Sequence, residues 1–313
     1  MEVQNTKAQF KIDWKIKNFE ELSPKKGQLL SSPTFVIDDL HRSHWVLHLY
    51  PYGDNDGNGQ YTALYLVRKS DDDYPEDIVL DCQLSFETPE KTIAIPWKTT
   101  SIDWKTTNHT FQNGGRCGSQ EFIEKEKIAL YLEHGSLNVR CVVFQHGIDG
   151  SKSGGCAAVS LIGNDQRYFE WIIEDFQDLQ PGDKKVVPIK SASKDALSMT
   201  MTLSMTSENI LMVGISPIDG KRMKRALCSL KTLKGPNFVC CGKDEIWFNE
   251  IKSEQNWSFP LLYSKEGLLD EQISSSLHLG CYLKFFLGIE FEKIEYTYYK
   301  PVSDQKNESC GIM

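Results

Sequence analysis

The residues best suited to chemistry in this sequence are cysteines and carboxylates set among glycines. Gly115-Arg-Cys117-Gly-Ser-Gln120 offers a thiol on a glycine-serine stretch. The nucleophile of the Cys-Gly-Ser-Cys hydrolase signature is its second cysteine, however, and Gln120 stands there. Asp54-Asn-Asp56-Gly-Asn58-Gly59 spaces oxygen ligands like the first half of a calcium loop. Its last ligand position is Tyr65 rather than a bidentate glutamate, and its flanks read as strands. A hairpin turn built from residues that tolerate the left-handed region accounts for it better. Gly235-Pro-Asn-Phe-Val-Cys-Cys-Gly242-Lys243 has six residues between its glycines where a phosphate loop has about four, and Asp244 replaces the magnesium-binding hydroxyl. No converging nucleophile, base and oxyanion donor is visible. The expectation is a chain that is not an enzyme and uses no cofactor and no metal.

Cys310-Gly-Ile-Met313 fits the C-a-a-X pattern for prenylation, with methionine favouring farnesyl. Only Lys300 and Lys306 lie nearby, and a single lipid without a polybasic partner gives marginal anchoring. A membrane is therefore expected as a partner only if Cys310 is modified. The nine cysteines are odd in number, scattered and never in a C-x-x-C pair, which argues against a disulfide framework and against zinc. The polar N-terminus lacks a signal core, and no run approaches the roughly 18 apolar residues of a spanning helix. A cytoplasmic or nuclear location follows as the expectation. Asn108, Asn256 and Asn307 open glycosylation sequons by pattern alone.

Charge narrows the partners. The net charge of −8 comes from 22 acidic against 16 basic residues in 1–150, and 21 against 19 in 151–313. Neither part has the basic excess that phosphate neutralisation needs, so nucleic acid is not expected as a partner. The acidic triplet Asp71-Asp-Asp73 reads as a solvated loop.

The elements that must position these residues are mostly strands. Trp45-Val-Leu-His-Leu-Tyr50 alternates at period two, and Tyr61–Val67, Ile78–Leu84 and Leu137–Phe144 follow in the same style. Ser198–Met205 alternates hydroxyl and apolar residues, which suits a sheet with one wet face. Tyr282–Leu287 and Ile294–Tyr299 come last. A short helix is expected at Glu121–Lys127. Residues 147–164 are rich in small side chains and read as a linker; residues 301–313 read as a disordered tail. Trp14-x-Ile16-x-x-Phe19-x-x-Leu22 recurs as Trp171-x-Ile173-x-x-Phe176-x-x-Leu179, 157 residues later. Together with the length, this repeat indicates two similar units.

Residues 8–146 carry an ordered series: Trp14-x-Ile-x-Asn-Phe, Ser31-Ser-Pro-Thr-Phe35, Trp45-x-Leu-x-Leu-Tyr-Pro-x-Gly53, Tyr61-x-x-Leu-Tyr-Leu66 and Phe122-Ile123. This series resembles the MATH (meprin and TRAF homology) domain. Residues 165–300 look like a diverged second copy, with Trp257-Ser-Phe259 similar to the family's Trp-Gly-Phe stretch. The resemblance implies an all-β protein of two tandem antiparallel eight-stranded β-sandwiches that bind short peptides of partner proteins by strand addition.

In the speckle-type branch of the family, an aromatic groove reads Ser/Thr-rich peptides and a following BTB domain recruits a cullin ubiquitin ligase. Carried over, the groove comprises Tyr65, Leu80, His109, Phe111, Cys117 and Ser119 in the first copy. Leu80 stands for an aromatic, His109 for a tyrosine, and Cys117 and Ser119 for the tryptophan and phenylalanine. The second copy keeps those two as Trp257 and Phe259, with Leu211 and Ala226 at the places of Tyr65 and Leu80. Aromatic anchors carry most of the energy in such grooves, so the two grooves should differ. No BTB segment is present in these residues. The expectation is a non-enzymatic peptide-binding module; the alternative is a BTB-less fragment or competitor of a ligase substrate adaptor. Oligomeric state is left open.

Overall fold

The computed structural model describes residues 7–22, 26–54, 59–70, 76–87, 101–149, 152–190, 198–218, 223–234, 237–248, 255–269 and 275–301. The chain separates into two compact units: Met1–Ile162 with Ile289–Met313 (unit 1), and Gly163–Gly288 (unit 2). Unit 1 opens with β1 (Lys7–Lys17), β2 (Leu30–Ser31), β3 (Phe35–Ile37), β4 (Ser43–Tyr50) and β5 (Tyr61–Arg68). It continues with β6 (Ile78–Glu87), β7 (Ser101–Phe111), β8 (Arg116–Glu124), β9 (Leu132–Glu133) and β10 (Ser136–Asp149). β11 (Lys152–Ile173) leads into unit 2, which holds β12 (Lys184–Ile189), β13 (Met199–Met205), β14 (Leu211–Ile218), β15 (Arg225–Lys234), β16 (Asn237–Trp247) and β17 (Gln255–Pro260). A short helix, α1 (Lys265–Leu269), precedes β18 (Leu277–Pro301), whose C-terminal part belongs to unit 1.

Unit 1 is a sandwich. One layer runs β7-β6-β10-β1, with β11 pairing parallel to β1; the other runs β2-β4-β5-β8, with β3 also on β4. Alternation decides which residues meet between them. Ile12, Trp14, Leu80 and Leu84 from the first layer and Trp45, Leu47, Leu64 and Leu66 from the second share one buried cluster. Trp14 also donates its indole N–H to Ser160 Oγ at 3.0 Å, so a large ring is buried without stranding its polar atom. Unit 2 has layers β16-β15-β18-β11 and β12-β13-β14-β17. On β13 Met199, Met201, Leu203 and Met205 are buried, while Thr200, Thr202 and Ser204 are half-buried.

The repeated motif folds alike in both units. Trp14, Ile16, Phe19 and Leu22 are buried, as are Trp171, Ile173, Phe176 and Leu179. Each strand ends on a left-handed residue, Asn18 (φ 56°) or Asp175 (φ 51°). Both are types that tolerate that region. A 3-10 turn follows in each case, Phe19–Glu21 or Phe176–Asp178, closed by Leu22 N–H to Phe19 O and Leu179 N–H to Phe176 O. Spacing that skips two residues between Ile and Phe is what this strand-to-turn corner requires.

Three expectations need correction or placing. The helix expected at Glu121–Lys127 is instead the end of β8 followed by a 3-10 turn, Lys125–Tyr131. Phe122 and Ile123 are both buried at that strand end, and the turn that follows buries only Tyr131. Residues 147–164 are not a free linker, since they carry the end of β10 and much of β11. Their glycines are small because space is short. A Cβ on Gly154 would stand 3.0 Å from the Tyr299 ring, and one on Gly155 would stand 2.8 Å from the Tyr298 hydroxyl. Residues 302–313, including Cys310, lie outside the described residues, as do Asn55–Asn58, Asp71–Asp73 and the Asp219-Gly220 turn. Among the described residues no helix is long and apolar enough to cross a membrane.

Candidate binding face of the first unit

The outward face of β4, β5 and β8 is built by cross-strand register. His48 stands opposite Tyr65, and Tyr65 opposite Gly118. Tyr50 meets the Tyr65 ring edge-on at 6.2 Å between centroids. The Tyr65 hydroxyl donates to Asp54 Oδ2 at 2.8 Å, and the Arg116 guanidinium lies 4.5 Å from the ring centre. Arg116 Nη1 is also 4.0 Å from that carboxylate oxygen. The other oxygen, Asp54 Oδ1, is buried with no hydrogen-bond partner among the described residues. Burial first, and then the bond to Asp54, hold the Tyr65 phenol proton well past its ordinary range. Burial, and secondarily the Arg116 charge, push the His48 pKa down. His48 is thus biased toward the neutral imidazole, which can both donate and accept.

β8 is the end strand of its layer, and among the described residues only β5 pairs with it. A two-part anchor fixes it. Buried Arg68 donates from Nη1 to Glu76 O (2.6 Å) and Phe111 O (3.3 Å), and its backbone N–H reaches Gly115 O at 2.9 Å. One residue thereby holds both ends of the turn between β7 and β8. Gly118 is the second device. A Cβ there would overlap the Leu64 carbonyl and stand 2.7 Å from Tyr65 Cα. Gly118→Ala is therefore expected to lower unit 1 stability by about 1–3 kcal/mol, because backbone rather than a flexible side chain must yield. Hydrogen exchange read by segment checks it: protection should fall across 61–68 and 116–124, and unchanged exchange there would refute the close packing.

The residues expected from sequence divide sharply. Tyr65 points to this outward side but is buried, 6% exposed, with Arg116 over its ring, and Ser119 is half-buried on β8, where its Oγ accepts from Glu121 N–H at 3.2 Å. His109 is half-buried opposite Leu80 and packs edge-on to Phe111, with centroids 4.7 Å apart. Leu80, Phe111 and Cys117 fill the unit 1 core, and Trp257 and Phe259 fill the unit 2 core. The Trp257 indole donates to Asp244 Oδ2 at 2.7 Å. In unit 2, Gly214 faces Ser258 across β14 and β17 as Tyr65 faces Gly118 across β5 and β8. The counterpart of Tyr65 is therefore Gly214, not Leu211, whose side chain is buried. Sequence reasoning missed His48, Asp54, Arg116 and Gly118. Pairing the Trp45–Tyr50 and Tyr61–Val67 runs as a hairpin would have found His48.

Among the described residues, seven of the eight cysteines are buried and offer little reactivity. Cys117 is buried and its thiol is pushed up to about 12 by burial and by neighbouring Cys82. Burial likewise holds Cys156, Cys241 and Cys281 at about 12. At neutral pH a thiol at that value is ionised about once in 10⁵. Iodoacetamide near pH 8 should therefore label half-buried Cys240 and leave the seven buried cysteines unmodified until denaturant is added. Peptide mass spectrometry reads this, and fast labelling of Cys117 in the native protein would contradict it.

Two facing layers, antiparallel except where β11 joins β1, make unit 1 an all-β sandwich. Residues 11–143 match the family model described as MATH domain. Among solved structures, TRAF5 of Notothenia coriiceps is similar at 19% identity over 44% of this chain and 74% of that chain, with a TM-score of 0.33. A carbohydrate-binding module of the β-sandwich superfamily is similar at 7% identity over 90% and 98%, with a TM-score of 0.18. No curated protein matches this chain. This likeness to the MATH domain covers residues 11–143, less than half of the chain.

Proposed function

We propose that the chain is a tandem MATH protein that binds extended peptide segments of partner proteins along the free edge of β8. The open edge carries this reading. β8 ends its layer, among the described residues its backbone groups on that side pair with no strand, and it is flanked by Tyr65, Asp54 and Arg116 on one face. A peptide adding there would gain main-chain hydrogen bonds from the edge and selectivity from the face. His48 favours hydroxyl-bearing or amide side chains, and the exposed Arg116, backed by the buried Tyr65–Asp54 pair, favours an acidic neighbour.

The tandem arrangement draws support from register. Strand order β7-β6-β10-β1 is matched by β16-β15-β18-β11, and β2-β4-β5-β8 by β12-β13-β14-β17. Leu84 opposes Cys141 and Cys82 opposes Val143 in unit 1; Leu230 opposes Cys281 and Cys228 opposes Leu283 in unit 2. Two cysteines recur at equivalent positions, which independent folding solutions would not produce. Gly214 in place of Tyr65 makes unit 1 the peptide-binding copy on this face.

The test is hydrogen exchange of the full chain with and without binders selected from a random peptide library. Binders are expected to slow exchange at 116–124, and Arg116→Glu is expected to change which peptides are selected. Protection elsewhere with none on β8 would overturn the assignment. Service to a ubiquitin ligase is a narrower form of the same reading, tested by whether captured partners gain stability when the chain is depleted from cells.

A further inference from the structure

We propose that the outer face of the β16-β15-β18-β11 layer of unit 2 holds a second recognition site, a cleft that takes an aromatic side chain of an acidic peptide. The inference goes beyond the β8 edge and does not depend on it.

Alternation builds the cleft. On β15, Cys228 and Leu230 point into the core, so Ser229 and Lys231 point out. Register sets Lys243, Ser229 and Tyr282 in one row, and Cys240, Lys231 and Gly280 in the next. Tyr168 on β11 and Phe238 at the start of β16 rise as walls, each 70% exposed. Both rings offer apolar surface that a guest seated between them could bury.

Together Tyr168, Ser229, Lys231, Phe238, Gly280 and Tyr282 line a cavity of about 360 Å³. That size lies at the lower end of ligand pockets and suits one ring rather than a large cofactor. The floor is open because Gly280 has no side chain; a Cβ there would sit 3.4 Å from the Tyr168 hydroxyl. The Tyr282 hydroxyl also lines the cleft and donates to Gln166 Oε1 on β11 at 3.4 Å.

Charge selects the flanks of the guest. Lys231, Lys243 and Lys284 project from this face, and Glu170 is the acidic residue beside Tyr168 on β11. Glu245, on the same face, is already matched by Arg225 through two bonds of 2.7 and 2.8 Å. With Glu245 matched by Arg225, Lys231 and Lys243 outnumber Glu170 on a chain whose net charge is −8. Acidic residues flanking the inserted ring would meet those ammonium groups. Three lysines are too few to track a phosphate backbone with useful affinity, which favours a peptide over single-stranded nucleic acid.

The experiment uses the full chain and fluorescence anisotropy at low salt. The probes are labelled Glu-Glu-Trp-Glu-Glu, the same peptide with alanine for tryptophan, Lys-Lys-Trp-Lys-Lys, and an oligouridine. The acidic tryptophan peptide is expected to bind at least about tenfold more tightly than the other three probes. Phe238→Ala and Lys231→Glu should each weaken it about tenfold. Both cleft substitutions are at exposed positions, and matching thermal unfolding curves confirm that the fold is kept. The proposal is overturned by no binding up to about 1 mM, by tighter binding of oligouridine, or by wild-type affinity in the Phe238→Ala variant.

Discussion

Arg68→Met is expected to destabilise unit 1 by about 3–5 kcal/mol. Arg68 is fully buried, and its guanidinium satisfies Glu76 O and Phe111 O. Methionine fills much of the volume but donates nothing, so both carbonyls lose a charged donor inside the protein. A bond to a charged group contributes about 1.5–3 kcal/mol, and a stranded buried acceptor costs more than a missing contact. Domains of this kind hold only about 5–15 kcal/mol in all. The loss should concentrate at β7 and β8, because the same residue fixes the turn between them. Hydrogen exchange should show early opening of 101–124 together with a lower urea midpoint. A shift under about 1 kcal/mol would mean that the two carbonyls find water instead.

Trp257→Ala should remove about 3–5 kcal/mol from unit 2. The ring is 2% exposed, packs 5.6 Å from Phe259 between centroids, and donates to Asp244. Truncation leaves a cavity and an undersatisfied carboxylate. Trp257→Phe keeps most of the volume and should lose less than half as much. Because the chain has two units, a single unfolding curve would blur the result. Exchange read by segment separates them: protection should fall within 163–288 and persist in 7–149. Intact protection with a loss of peptide affinity alone would instead make the ring a binding anchor.

Trp257 also shows where sequence reading stops. The family pattern marks this position, but period-two alternation says only that Trp257 and Phe259 share a face. Which face looks inward depends on the opposite layer, supplied by β18 and β11, many residues away. The same limit hid the burial of Leu80, Phe111 and Cys117. What was legible was local. The Trp-x-Ile-x-x-Phe-x-x-Leu repeat encodes a strand, a left-handed corner and a 3-10 turn within nine residues, and the structure shows that unit twice. Strand runs such as Trp45–Tyr50 were readable for the same reason. The stretch 147–164 misled because glycine serves two ends. Composition cannot distinguish a glycine that loosens a chain from one that lets a tyrosine ring approach, and Gly154 and Gly155 are the second kind.

Unit 2 interrupts unit 1 in the chain, since Ile289–Met313 returns to the first unit after Gly163–Gly288. On the ribosome, the first unit therefore waits for its last strand until the whole second unit has been made. At bacterial to eukaryotic elongation rates, the 126 residues from Gly163 to Gly288 take about 6–25 s to translate. Throughout that interval the outer side of β11 is bare beside a nearly finished sheet, open to pairing with a neighbouring nascent chain. Attendance by chaperones during synthesis, and poor recovery of a product terminated near residue 162, follow from this order of assembly.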